Sequence, residues 1–179
     1  IASQDRQQGT VFYMLPQAPG ARPFADNRCL GCHLSAASGG VPGMLVRSIP
    51  TASDGTLLPW LGNATPDHRT PLEERWGGWY VTGAHGSRRH LGNLKLSNRR
   101  AQALPAWSAD RALDTLAGEI DTDKYLSPHS DAVALLVFEH QATAMNLLTR
   151  TGWLSRIASL EKRSVSPDVV AVVAALVDY

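Results

Sequence analysis

The stretch Cys29-Leu30-Gly31-Cys32-His33 decides how the rest of this chain is read. Two thiols three residues apart fall on one face of a single helical turn, and the imidazole that follows belongs to the same turn. They are the only cysteines among the 179 residues. A redox-active Cys-x-x-Cys pair belongs beside a βαβ pattern, and the neighbouring sequence shows no alternation of strand and helix. A structural zinc site needs two further soft ligands at close spacing. No third cysteine exists, so His85 and His90 are the residues that could supply one. A disulfide across two intervening residues is stereochemically awkward and leaves His33 without a role.

Cys-x-x-Cys-His is the attachment sequence of c-type haem, and its spacing has a physical reason. From one helical turn the two thiols reach the two vinyl groups on one edge of the porphyrin, while the adjacent imidazole swings under the ring to the iron. Cys29 and Cys32 are therefore the expected thioether residues and His33 the expected proximal ligand of one covalent haem c. The motif resembles that of the c-type cytochromes. Gly40-Val-Pro-Gly-Met-Leu-Val-Arg-Ser48, Asp67-His-Arg-Thr-Pro-Leu-Glu-Glu-Arg-Trp-Gly-Gly-Trp-Tyr-Val-Thr-Gly-Ala-His-Gly86, Arg89-His90-Leu91-Gly92-Asn93 and Glu139-His140-Gln141 are similar to segments of a little-described group of exported bacterial haem c proteins. The likeness covers most of residues 24–152. It implies haem and export, and it names no reaction. It also implies that the chain continues past Ala175-Leu-Val-Asp-Tyr179.

Composition narrows the class further. Seventeen Lys and Arg against sixteen Asp and Glu give a formal net charge of +1, so no global field selects nucleic acid or anionic lipid. Hydrophobic residues at 44% argue against disorder as a description of the whole chain. The longest greasy run, residues 169–177, is about half of what spans a bilayer. The start, Ile-Ala-Ser-Gln-Asp, has neither an initiator Met nor a basic-then-apolar signal segment, and reads as a processed or truncated terminus. The final apolar helical pattern stops abruptly and leaves a face in need of a partner.

The scaffold these patterns predict is mainly α with a small β-hairpin: a cytochrome c-like haem-binding domain with long irregular loops. Pro16, Pro19, Gly20 and Pro23 predict an irregular leader over residues 1–23, followed by an α-rich domain over 24–179. A helix is expected from Phe24 to His33 and a small-residue loop from Ser35 to Gly43. A hairpin is expected around Ser53-Asp54-Gly55, between apolar segments 44–49 and 56–60. Thr70-Pro71-Leu72-Glu73 starts a short helix that Gly77-Gly78 breaks. A polar loop is expected over 83–107, and a helix from Ser108 to about Gly118. Ser127-Pro128 caps the clearest helix, which carries Leu136, His140, Ala144 and Leu147 and is ended by Gly152. Helices over 153–162 and 167–178 complete the chain.

The sixth iron ligand decides the chemistry, because an axial Met raises the potential and an open position admits small molecules. Met44 lies eleven residues beyond His33, enough extended chain at about 3.3–3.6 Å per residue to pass round the porphyrin edge; it is the distal candidate. Met14 in the leader and Met145 in the long helix compete with it. His140 is an alternative because an imidazole in an apolar helix needs a partner, and so are His85 and His90, in a glycine-rich loop beside Trp79 and Tyr80. His68 and His129 read as turn or helix-start residues. Arg47, Arg75, Arg88, Arg89, Arg99 and Arg100 form the pool for the propionates. Trp76 and Trp79 bracket Gly77-Gly78, where backbone and ring can approach a flat partner.

The expected function is single-electron transfer between redox partner proteins in an extracytoplasmic compartment, the periplasm or the outer face of a bacterial membrane, since covalent haem c is made after export. No catalytic residue is needed for that. Two other readings stay open: a haem enzyme or gas sensor with an open distal side, and a haem-stabilised subunit docked in a larger complex through its C-terminal helix.

Overall fold

The computed structural model describes residues 1–97, 99–104, 112–162 and 166–179. These form two compact units, Ile1–Leu45 with Gln141–Tyr179, and Val46–His140. The first unit opens on strands β1 (Ala2–Asp5), β2 (Gly9–Met14) and β3 (Phe24–Ala25), which pair as an antiparallel sheet in the order β1-β2-β3. The chain is thus a mixed α/β structure, and the expectation of a mainly α fold is corrected, as is the irregular leader. The sheet occupies the residues that the prolines seemed to make irregular. Those prolines lie beyond Met14, in the β2–β3 connection. Upstream, the alternation Thr10-Val11-Phe12-Tyr13 is a half-buried strand. The Asp5 carboxylate turns the hairpin by accepting from the backbone N–H groups of Gln7 and Gln8, both at 2.8 Å.

The expected Phe24–His33 helix is helical only in its second half. β3 comes first; Asp26 then accepts from Arg28 N and caps a 3₁₀ turn at Asn27–Cys29, which runs into α1 (Leu30–His33). The long helix α2 (Ala132–Leu160) starts four residues after Pro128 and passes through Gly152 without stopping. The Asp131 carboxylate accepts from Ala134 N at 2.9 Å, which fixes the start. A single glycine costs a helix only about 1 kcal/mol. Beyond it, Trp153 Nε1 and Arg156 Nη2 both donate to Gln7 O, at 2.8 and 2.9 Å. α3 (Pro167–Val177) forms as its pattern predicts, with Ser166 as cap and proline in its first turn.

In the second unit regular structure is sparse. The hairpin around Ser53-Asp54-Gly55 shrinks to one bridge between Thr51 and Leu57, with Thr56 N donating to the Asp54 carboxylate at 3.0 Å. The helix after Pro71 is a single 3₁₀ turn, Leu72–Glu74. The helix expected from Ser108 begins outside the described residues, and its described part, 112–118, is not helical. Leu58, Ala52 and Leu96 form the core with Leu61 and Leu94 against them. Each fully buried Leu contributes about 1.5–3 kcal/mol. Gly77 and Gly78 pass against Ile49-Pro50, and a Cβ on Gly77 would lie 2.8 Å from Pro50. Asn93, with φ 65°, completes this packing by bonding both the N–H and the C=O of Val81, at 2.7 and 2.9 Å.

Candidate functional site

The Cys-x-x-Cys-His segment belongs to the first unit. Both thiols are free, with Cys32 exposed and Cys29 partly so, and His33 ends α1. The His33 ring is held from two directions. Its Nδ1 lies 3.0 Å from Gly43 O, and the Phe12 ring packs on it with centroids 4.5 Å apart. A carbonyl only accepts, so Nδ1 carries the proton and Nε2 presents its lone pair; this is how proteins orient a metal-binding imidazole.

The Gly43 carbonyl is itself fixed. Gly43 N donates to His33 O at 2.9 Å. The Asn146 side chain, from α2, accepts from Met44 N at 3.0 Å and donates to Met44 O at 2.8 Å. Ser38, fully buried, ties the intervening loop by donating to Val41 O at 2.9 Å. The small-residue loop therefore serves as a backbone brace behind the imidazole.

On β2, Phe12 and Met14 share one face by strand alternation, and Met14 pairs with Phe24 across the β2–β3 register. Met14 and Phe24 are 42% and 50% exposed, leaving apolar surface on the face that carries the Phe12–His33 contact. The residues present fit covalent haem: two accessible thiols, an oriented imidazole and uncovered apolar side chains beside them. Phe12 and Phe24 escape sequence reasoning because they fall in or next to the supposed leader; the alternation over residues 9–14 is the signal that could have found them.

The other expected residues divide between the units. Met44 and Met145 belong with His33 in the first. His85, His90 and His140 belong to the second, as do all six arginines of the propionate pool. Among the described residues no group of three or more His, Cys, Asp and Glu is placed to hold a metal ion. His68 is a turn residue, whereas His129 lies in irregular chain before α2, its Nδ1 3.1 Å from Asp114 O.

The second unit holds a separate cluster. Arg75 and Glu139 are both buried and paired at 2.5 Å, and Arg75 also donates twice to Thr70 O. Burial raises the Glu139 carboxyl and Arg75 opposes that rise. Trp76 acts on the same carboxylate in the same sense as Arg75, yet neither its Nε1 nor Glu139 Oε1 has a partner in hydrogen-bonding geometry. His90 packs edge-on against both Trp76 and His85, at centroid distances of 5.1 and 4.7 Å. Burial, with His85 adding to it, lowers His90 to about 4. His140 and His68 meet with their Nδ1 atoms 3.3 Å apart.

Comparison with protein-family models, with curated proteins and with solved structures finds no match.

Proposed function

We propose that the first unit carries one covalent haem c, with thioethers at Cys29 and Cys32 and His33 as proximal ligand, and that the protein passes single electrons between redox partners in an extracytoplasmic compartment. The observation that supports this most directly is the His33 Nδ1 to Gly43 O bond, which leaves Nε2 as the free ligand atom of an imidazole whose direction is already set. When bound, the haem supplies a one-electron iron couple. The chain's part is to hold and orient: Gly43 fixes the tautomer, Phe12 limits rotation of the ring, and the Asn146 amide pins the backbone from which the Gly43 carbonyl projects.

The same geometry argues for a sixth ligand other than Met44. The backbone of Met44 follows directly on the Gly43 carbonyl that faces Nδ1 of His33, whereas Nε2 is the atom that would bind iron. Among the described residues no helix is long and apolar enough to cross a membrane.

The test is expression of the full chain, with an export signal, in a host that matures c-type cytochromes. Support is a mass increased by one haem, pigment that survives acid extraction, and a reduced spectrum unchanged by carbon monoxide. An unmodified mass defeats the haem reading. A covalent haem that binds carbon monoxide rapidly defeats electron transfer in favour of small-molecule chemistry.

A further inference from the structure

The second unit contains a cavity of about 570 Å³ that the haem reading does not use. Its size is within the range of small-molecule sites. Three features of its lining bear on what it takes.

The first is shape and polarity. Leu72, Val133 and Leu136 supply an apolar wall, and the buried Trp76 borders it. Val133 and Leu136, in the first turns of α2, are 64% and 37% exposed.

The second is charge. Arg75, Arg88, His68 and His85 line the cavity, and no Asp or Glu does so among the described residues. The charge of Arg75 is matched by Glu139. Arg88, exposed at the mouth, is the cation left to meet a ligand. The His85 ring is held by the Arg88 segment itself, through Nδ1 2.7 Å from Arg88 O.

The third is construction. Trp76 is 2% exposed and has φ 67°, a left-handed backbone that costs a bulky residue of order 1–3 kcal/mol. Its indole N–H acts on the buried Glu139 carboxylate, outside good hydrogen-bonding geometry. The turn closed by Trp79 N on Trp76 O at 2.9 Å and the neighbouring Glu139 carboxylate hold this residue in one orientation at the edge of the cavity.

We propose that this cavity binds a small organic monoanion, a carboxylate on an aryl or branched-alkyl body. The carboxylate pairs with Arg88 at the mouth, where a planar guanidinium matches two oxygens. The apolar body lies against the Leu72, Val133 and Leu136 side chains. A bare phosphate would leave that apolar wall unused, and a neutral body would leave Arg88 unused.

Calorimetric titration of the full chain with benzoate, benzamide and inorganic phosphate tests this. Saturable one-to-one binding of benzoate is expected, with benzamide and phosphate at least about tenfold weaker, the loss of one charge-assisted contact. Arg88→Gln, an exposed substitution that leaves the fold intact, should weaken benzoate about tenfold and leave benzamide unchanged. Leu136→Trp should fill the cavity and abolish binding with the circular dichroism spectrum retained. No benzoate binding at millimolar concentration, equal binding of benzamide, preference for phosphate, or affinity unmoved by both substitutions would each overturn the proposal. None of these outcomes depends on whether haem is attached.

Discussion

Arg75 donates from Nη1 to Glu139 Oε2 at 2.5 Å, and both side chains are almost wholly buried. A pair this deep stabilises only as a pair, because each partner alone is an uncompensated charge in a poor dielectric. Arg75→Met is expected to lower the unfolding free energy by about 3–5 kcal/mol. The double variant Arg75→Met with Glu139→Met should recover most of that loss. Denaturant titration followed by circular dichroism measures both, and a double variant as unstable as the single one would contradict the account.

Gly43 and Asn146 form a second dependence. A Cβ on Gly43 would collide with Asn146 Oδ1, the atom that accepts from Met44 N. Gly43→Ala should therefore destabilise by about 1–3 kcal/mol through lost or displaced buried bonds, and Asn146→Ala by a similar amount. The combined variant should cost less than the sum, since the clash and the bonds share one side chain. Additivity in a double-mutant cycle would refute the brace.

The buried His90 gives a pH dependence with a definite sign. Its folded-state value of about 4 lies below the ordinary 6.5, so between those values the unfolded chain takes up a proton that the folded one refuses. Stability is then lost as pH falls from about 6.5 towards 4, by up to ~3 kcal/mol for this group, and levels off below. Glu139, raised by burial, acts with the opposite sign over part of the same range. Comparison of wild type with His90→Asn isolates the imidazole: the difference in unfolding free energy between the two proteins should change across pH 4–6.5. A difference independent of pH would mean that His90 protonates freely in the fold.

If the proposed haem is attached, Met44→Leu should leave its axial spectrum unaltered, because Gly43 O holds the Nδ1 side of His33 and Met44 follows directly. Met14→Leu, on the sheet face shared with Phe12, is the informative comparison. Loss of a sulfur-to-iron band in the Met44 variant alone would show that the brace does not exclude Met44.

Replacing Phe12, which packs on the His33 ring, should loosen the imidazole without touching either thiol. Phe12→Ala is expected to cost about 3–5 kcal/mol of stability as a large buried aromatic, and to leave the mass of the proposed haem adduct unchanged. Failure to change stability would show that the ring contact is incidental.

Much of the local order was legible in the residues. The helical turn that carries Cys29, Cys32 and His33 is legible from the spacing of those five residues. α3 was bounded by Ser166-Pro167, and α2 by an apolar period too long to be anything else, because such signals act over a few residues. The N-terminal sheet is less legible, because prolines at 16, 19 and 23 mark only their own connection while the strand upstream shows no more than a six-residue alternation. Gly152 was given too much weight as a helix stop, since a long helix with anchored ends tolerates one glycine.

What the sequence by itself determined is the presence of the two thiols and the imidazole on one turn, and hence the cofactor proposed here. Tertiary structure alone decided what stands behind that turn: the Gly43 carbonyl, the Asn146 clamp 102 residues beyond Met44, the Phe12 ring, and in the second unit the Arg75–Glu139 pair beside Trp76. Those are contacts between residues far apart along the chain, set by packing and by the need of buried polar groups for partners. Neither periodicity nor spacing encodes them, because both describe only the near neighbours of a residue.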